Sequence, residues 1–308
     1  MTPIRIGTRR SPLAMRQTQD VADALTGVLD RRVELVTITT RGDVDSAALA
    51  SIGGTGVFVS ALRDSLLRGE VDLAVHSLKD LPTAPAEGLR LAAVPRRADA
   101  RDALVGLPLD DVRPGTRVGT GSPRRAAALH ALGRGVVPVA IRGNIDTRLQ
   151  MVRDGALDAV VLAAAGLARL SRHDLPVEPL DPVAMLPAPG QGALAVESRP
   201  VLPDDLSEAL SRLDDGDSRA AVLAERTVLA GLEAGCSAPV GALATVADEL
   251  VLNARVWSHD GREVVSGRVR GPAASAARLG RSLAEDLLAG GAATLIPAQQ
   301  PERKETAL

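Results

Sequence analysis

Three kinds of residue in this chain could do chemistry. LEAGCSAP (232–239) holds Cys236, the sole cysteine, in a loop that follows a helical stretch. A cysteine kept as filler belongs on an apolar face, whereas one set between glycine and proline can present its sulfur to a cleft. A thiolate there can react once and stay bonded as an anchor. HSLKDLP (76–82) holds Lys79 beside Asp80, directly after the strand-like run VDLAV. The chain has two lysines, Lys79 and Lys304, and 34 arginines, so the compact ammonium at Lys79 departs from the default cation. Asp80 at a strand end can move a proton or hold a developing positive charge, or it can simply cap a short helix.

The third kind is arginine. Arg9 and Arg10 flank one Ser-Pro helix start, and Arg124 and Arg125 lie inside another, where free backbone N–H groups and the helix dipole already favour anions. Arg142 and Arg148 in IRGNIDTRL (141–149) follow a further strand, and Arg169 stands in GLARL. Taken singly, each is an ordinary surface charge. As a group after strands they suit a ligand with several acidic functions, because a guanidinium fork matches a carboxylate with two parallel hydrogen bonds. The sequence lacks GxxxxGK[ST] and lacks GxGxxG at a strand-to-helix turn, which argues against a nucleotide.

The elements that must hold these residues follow a repeated grammar. IRIG (4–7) reads as a strand, then Ser11 caps a helix with Pro12 in its first turn; RVGTGSPRR (117–125) repeats the pattern with Ser122 and Pro123. GEVDLAVHS (69–77) and GALDAVVLA (155–163) echo each other as well, so two similar α/β units are expected, with sheets covered on both faces and sites at strand C-terminal ends. GGTGVF (53–58) joins a glycine-rich loop to Phe58 and reads either as a lid closing over a ligand, with Gly56 and Phe58 its markers, or as a turn with Phe58 in the core. After DDGDS (214–218) the pattern changes. A long helix, RAAVLAERTVLAGLE, is expected to end at Glu233 or Ala234 with Gly235 as left-handed cap. Three strands follow, ALATV, ELVLNARVWS and REVVSGRVRG, with a hairpin turn at His259-Asp260-Gly261 and a closing helix, and make a three-stranded antiparallel sheet.

The totals agree with a folded, soluble protein of two or three domains: 308 residues, 45% hydrophobic, formal net charge −2. That balance and the presence of only two aromatic residues, Phe58 and Trp257, exclude a nucleic-acid binder. The longest apolar run is too short for a membrane span, four scattered histidines have no metal-ligand spacing, and one cysteine forms no internal disulfide; a cytoplasmic protein without a metal is expected.

GTRRSPLA, HSLKDLP, GTGSPRR, IRGNIDTRL, PGQGALAVE and LEAGCSAP, spread in that order along nearly the whole chain, closely resemble the porphobilinogen deaminase (hydroxymethylbilane synthase) family. The resemblance implies two periplasmic-binding-protein-like α/β domains with mixed sheets around a cleft and a small α+β domain with the antiparallel sheet. It places domain 1 at 1–95 and 193–213, domain 2 at 96–192 and domain 3 at 214–308. It implies that Cys236 carries a dipyrromethane cofactor as a thioether and that Asp80 is the catalytic carboxylate, with Lys79 beside it. Lys79, Asp80, Thr120, Ser122, Arg124, Arg125 and Arg142 match cofactor-binding positions; Arg9, Ser11, Gln17, Arg148, Arg169 and Gln191 match substrate-binding ones. The implied reaction condenses four porphobilinogen molecules head to tail with loss of ammonia and releases linear hydroxymethylbilane by hydrolysis. A monomer is implied, with no nucleic-acid or membrane partner. Two positions depart from the family pattern: lysines of the lid are replaced by Ser51 and Thr55, for which Arg10 and Arg63 are the candidate substitutes. The rival readings are a two-lobed protein that holds an acidic solute without reacting, which needs neither the cysteine nor the Lys-Asp turn, and a regulator, for which no DNA-binding segment is evident.

Overall fold

The computed structural model describes residues 2–38, 56–235 and 238–296. Two five-stranded mixed sheets share one plan. In the first, β1 (Ile4–Thr8) lies between β2 (Val33–Thr37) and β3 (Leu73–Ser77), parallel to both. β10 (Leu194–Ser198) joins β3 antiparallel and is followed by β4 (Arg90–Ala93), giving the order β2-β1-β3-β10-β4. In the second, β6 (Arg117–Thr120) lies between β7 (Val137–Ala140) and β8 (Ala159–Ala163), parallel to both. β5 (Asp102–Val105) and β9 (Val177–Pro179) complete the order β7-β6-β8-β5-β9, with β5 antiparallel to β8 and β9. The two sequence echoes fall at equivalent places, β1 with β6 and β3 with β8. In each sheet the antiparallel strand is the one that follows a crossing from the other sheet.

Parallel strands covered by helices need apolar residues on both faces, and β1, β3 and β8 meet that need as nearly continuous buried runs. Helix α1 (Pro12–Thr26) packs Val21, Ala22 and Leu25 on Ile4, Ile6 and Leu73, while α2 (Gly56–Leu67) lays Leu62 and Leu66 against Val71 and Ala74 on the opposite face. In the second sheet, α3 (Pro123–Ala131) covers one face and α4 (Ile145–Arg153) the other. The short α5 (Ala164–Arg169) continues from β8. Both Ser-Pro starts act as expected: Ser11 accepts from the Ala14 N–H at 3.3 Å and Ser122 from the Arg125 N–H at 3.4 Å.

After α6 (Asp204–Leu213), α7 (Gly216–Gly231) opens the third unit. The sheet β11 (Val240–Val246), β12 (Leu250–Trp257) and β13 (Val264–Gly271) follows, with α8 (Ala276–Ala289) and α9 (Ala292–Leu295) packed against its inner face. The hairpin turn at His259-Asp260-Gly261 is present, with Gly261 at φ +69°. Its glycine is required twice over, since a Cβ there would lie 2.4 Å from the Ala127 carbonyl oxygen. The hairpin thus rests on α3, and Trp257, 1% exposed, is buried among Leu104, Val118 and Leu129 of the second unit.

The end of α7 corrects the sequence expectation. The left-handed residue is Glu233, at φ +49°, not Gly235. The Glu233 N–H donates to the Ala230 carbonyl at 3.0 Å and the Ala234 N–H to the Leu229 carbonyl at 3.2 Å, the bond pair of a Schellman stop. An earlier stop buries Leu232 and Ala234 in the third core, and that packing outweighs the strain of a non-glycine residue in this conformation. Among the described residues, no helix is long and apolar enough to cross a membrane.

Candidate functional site

Because β1, β2 and β3 run in one direction, their C-terminal ends open on one edge, and β6, β7 and β8 do the same in the second sheet. Lys79 and Asp80 stand at the end of β3, in a single 3-10 turn (Leu78–Asp80). Leu78 and Leu81 on either side are buried in the first unit, each worth about 2 kcal/mol of burial, so apolar anchors fix the turn and leave its charged residues to the cleft. Three other elements grip the same turn. Gln17 of α1 donates to the Ser77 hydroxyl at 2.8 Å. Arg226 of α7 donates to the Leu81 and Pro82 carbonyls at 2.8 and 2.6 Å. Gly190 of PGQG, at φ +73°, packs so closely that a Cβ would meet the Leu78 side chain at 2.4 Å.

Asp80 is half-buried and its carboxylate accepts no hydrogen bond from any described residue. It caps nothing, so the alternative of a helix-capping aspartate does not hold here. Burial lowers the Lys79 ammonium to about 8, against the pull of Asp80 and Asp102 and with Arg125 and Arg124 adding to the fall. The Nζ of Lys79 reaches Gln191 Oε1 at 3.4 Å.

Behind this pair lies a buried ion cage that sequence reasoning missed. Asp102, 0% exposed at the first residue of β5, accepts from Arg125 Nε at 3.0 Å, from an Arg125 terminal nitrogen at 2.7 Å and from Gln191 Nε2 at 2.8 Å; its other oxygen lies 2.8 Å from an Arg124 terminal nitrogen. Burial alone would raise this carboxyl, but the Arg124 and Arg125 charges hold it far below the usual carboxylate range. The cage joins both crossings between the sheets, since Asp102 closes the first and Gln191 belongs to the second. Arg97, also on the first crossing, donates to the Gln191 carbonyl at 2.8 Å and grips Glu225 of α7 with two bonds of 2.6 and 3.0 Å. Glu225 in turn accepts from the Gly190 and Ala244 N–H groups. Nothing in the spacing of Arg97, Asp102 and Glu225 signals this; the nearest hint is an aspartate opening the otherwise apolar run DALV.

Asp102→Asn leaves two buried guanidinium groups without their counter-charge and is expected to lower the unfolding free energy by about 3 kcal/mol. The folded carboxyl ionises below the unfolded one, so this contribution is complete above about pH 4 and fades as pH falls further. A shift of the urea midpoint at constant slope measures it, and a loss no larger than the roughly 0.5 kcal/mol of a surface substitution would remove the cage from the account.

The remaining sequence-selected residues divide in two. Thr120, Ser122, Arg124, Arg125, Gln191 and Gln17 are buried or half-buried at the strand and crossing ends just described. Arg169 donates to the Gly192 carbonyl at 3.1 Å and lies 3.8 Å from Asp20 of α1, across the two sheets' units. The cations still open to a ligand are fewer. Among the described residues the half-buried Arg148 guanidinium donates only to the Gly143 carbonyl, and burial followed by the Arg125 charge pulls it below its ordinary value. Arg142 is exposed and has no carboxylate partner among the described residues. The buried Nε of Arg124 has no acceptor. Half-buried Arg148 and exposed Arg142, with no carboxylate partner among the described residues, suit a polycarboxylate such as dipyrromethane. Arg9 and Ser11 stand half-buried at the end of β1.

Arg63 is not available as a lid cation. It pairs with Glu197 of β10 through bonds of 3.0 and 2.8 Å, and His76 lies 3.2 Å from the same carboxylate. Although burial would raise Glu197, these two partners bring it to about 2. Arg10 is exposed. Gly56 and Phe58 fall in the first turn of α2, while Ser51, Thr55 and Cys236 lie outside the described residues. Among the described residues no cluster could hold a metal ion.

A family model for the porphobilinogen deaminase dipyromethane cofactor binding domain matches residues 4–208, and one for the porphobilinogen deaminase C-terminal domain matches residues 219–289. Porphobilinogen deaminase 1 of Streptomyces coelicolor is 55% identical over 312 residues, covering 95% of this chain and 97% of that protein. Porphobilinogen deaminase of Mycobacterium tuberculosis is 50% identical over 306 residues, covering 95% and 98%. Among solved structures, an ancestral cationic amino acid solute binding protein aligns over 68% of this chain and 89% of its own at 17% identity, with a TM-score of 0.42. The BenM effector binding domain with benzoate aligns over 68% and 90% at 16% identity, with a TM-score of 0.40.

Proposed function

The chain belongs to the porphobilinogen deaminase family and has that family's activity in tetrapyrrole biosynthesis, and on this premise we propose that Asp80 is its catalytic carboxylate and Cys236 its cofactor anchor. The observation that carries the first assignment is the Asp80 carboxylate, which accepts no hydrogen bond from any described residue and stands beside Lys79 in a turn that three other elements grip.

The dipyrromethane cofactor, when bound, supplies the free pyrrole α-carbon to which the next ring is joined. Lys79, Arg142 and Arg148 bind the acidic side chains of cofactor and substrate, and the cage around Asp102 holds Arg124 and Arg125 in place behind them. As the C–N bond of the porphobilinogen aminomethyl group breaks and ammonia leaves, positive charge develops on the pyrrole; Asp80 stabilises it in place, without reorganisation. As the free α-carbon bonds to the methylene carbon that ammonia has left, the same carboxylate accepts the proton this α-carbon loses and returns it to solvent. Lys79 beside it is charged below about pH 8 and contributes a compact cation. Gln191, fixed by Asp102 and the Ala100 carbonyl, orients the Lys79 ammonium. The proposed domain limits, 1–95 with 193–213, 96–192 and 214–308, put the lysine-aspartate turn, the arginine cage and the cysteine on three different units. All of these residues come from a single chain, so a monomer suffices for the chemistry.

Intact-mass measurement of the purified protein tests the reading. The expected mass exceeds the polypeptide by one dipyrromethane and, after brief exposure to porphobilinogen, grows in steps of one substrate less ammonia. A protein that binds porphobilinogen with no covalent mass change would be the non-reacting solute binder instead.

A further inference from the structure

The outer face of the β11–β13 sheet, opposite α7 and α8, forms one wall of a groove whose other wall is residues 182–186 of the second unit. The groove holds about 570 Å³, within the range of small-molecule sites. Arg255 and Arg268 line it, and no aspartate or glutamate does. Strand register places Arg255 opposite Ser266 and Arg268 opposite Asn253, so the two guanidinium-bearing positions are diagonal neighbours; Arg270, opposite Val251, extends the same face. Arg255 is held in place, donating to the Val183 carbonyl at 3.0 Å with its guanidinium 5.5 Å from the centre of the Trp257 ring. Arg268 and Arg270 form no ion pair with any described residue.

That pattern runs against the habit of this chain, whose surface arginines commonly have a carboxylate nearby, as in Arg16–Asp20, Arg101–Asp99 and Arg172–Asp146. Like charges side by side on one sheet face repel, and an anion bridging them removes the repulsion. The walls beside them are apolar, from Leu186, Leu243 and Val251, with Asn253 and Ser266 as neutral hydrogen-bonding groups. We propose that this groove is a binding site for a small polycarboxylate, a carbon skeleton with two or three carboxylates, lying outside the catalytic cleft. Apolar walls favour such a skeleton over an inorganic polyanion of the same charge.

Trp257 is the only tryptophan of the chain, so its emission reports locally on Arg255 and the groove. The test titrates the holoenzyme with citrate at low ionic strength, with sodium chloride at matched ionic strength as reference and pyrophosphate as the phosphate probe. A saturable change in emission with citrate is expected, beyond that with chloride. In R268Q/R270Q the apparent Kd should rise at least about tenfold, with turnover and melting temperature unchanged. No saturable response in the wild type, or the same Kd in R268Q/R270Q, overturns the site. Pyrophosphate binding tenfold tighter than citrate overturns the carboxylate assignment.

Discussion

Asp80→Ala turns over porphobilinogen about 10³-fold more slowly than the parent, the range expected when a positioned carboxylate that serves a developing cation and a proton transfer is removed. Its fold is unaffected. Asp80 accepts no hydrogen bond from any described residue, and Leu78, Leu81, Arg226 and Gly190 fix the turn that carries it. The unfolding free energy should therefore change by no more than the roughly 0.5 kcal/mol of a surface substitution. The loss should fall equally on kcat and kcat/KM, because the interaction is made in the transition state rather than with the ground-state substrate. Asp80→Asn separates the two roles of the carboxylate from its shape: the amide keeps the volume but neither the charge nor the basicity, and should be nearly as slow as alanine. Turnover of either variant within tenfold of the parent would move the chemistry to another residue.

Much of this arrangement was legible in the sequence because local physics writes it there. A strand, a Ser cap and Pro in the first helical turn recur at Ser11 and Ser122, and both form; continuous apolar runs mark β3 and β8; an aspartate-glycine turn marks the β12–β13 hairpin. What stayed hidden depends on distant partners. Asp102 reads as an ordinary polar strand start until Arg124 and Arg125 fold onto it from 22 and 23 residues along. Arg63 reads as a surface cation near the lid, yet Glu197, 134 residues later, claims it. The helix stop at Glu233 departs from the local preference for Gly235, because the burial of Leu232 and Ala234 against the third sheet decides the matter. Propensity signals a stop within two residues; core packing chooses which residue takes the strain.

Cys236→Ser should emerge from purification with the mass of the bare polypeptide, gain no mass on exposure to porphobilinogen, and show no turnover above background. The reason is chemical. A thiolate is populated near neutral pH and attacks a cationic carbon readily, whereas a serine hydroxyl stays protonated and is a far weaker nucleophile. The chain on either side of the anchor is held: Ala234 and Ala238 are both 8% exposed in the third core, and the Ala238 N–H donates to the Gly235 carbonyl at 3.0 Å. The serine variant should accordingly keep its third domain. It should nevertheless melt at a lower temperature than the holoenzyme, because the acidic group that would bind Lys79, Arg142 and Arg148 in the folded state is missing. Adding a free dicarboxylate should recover part of that stability without restoring turnover. A serine variant that carries the extra mass, or that produces hydroxymethylbilane at the parental rate, would place the anchor elsewhere.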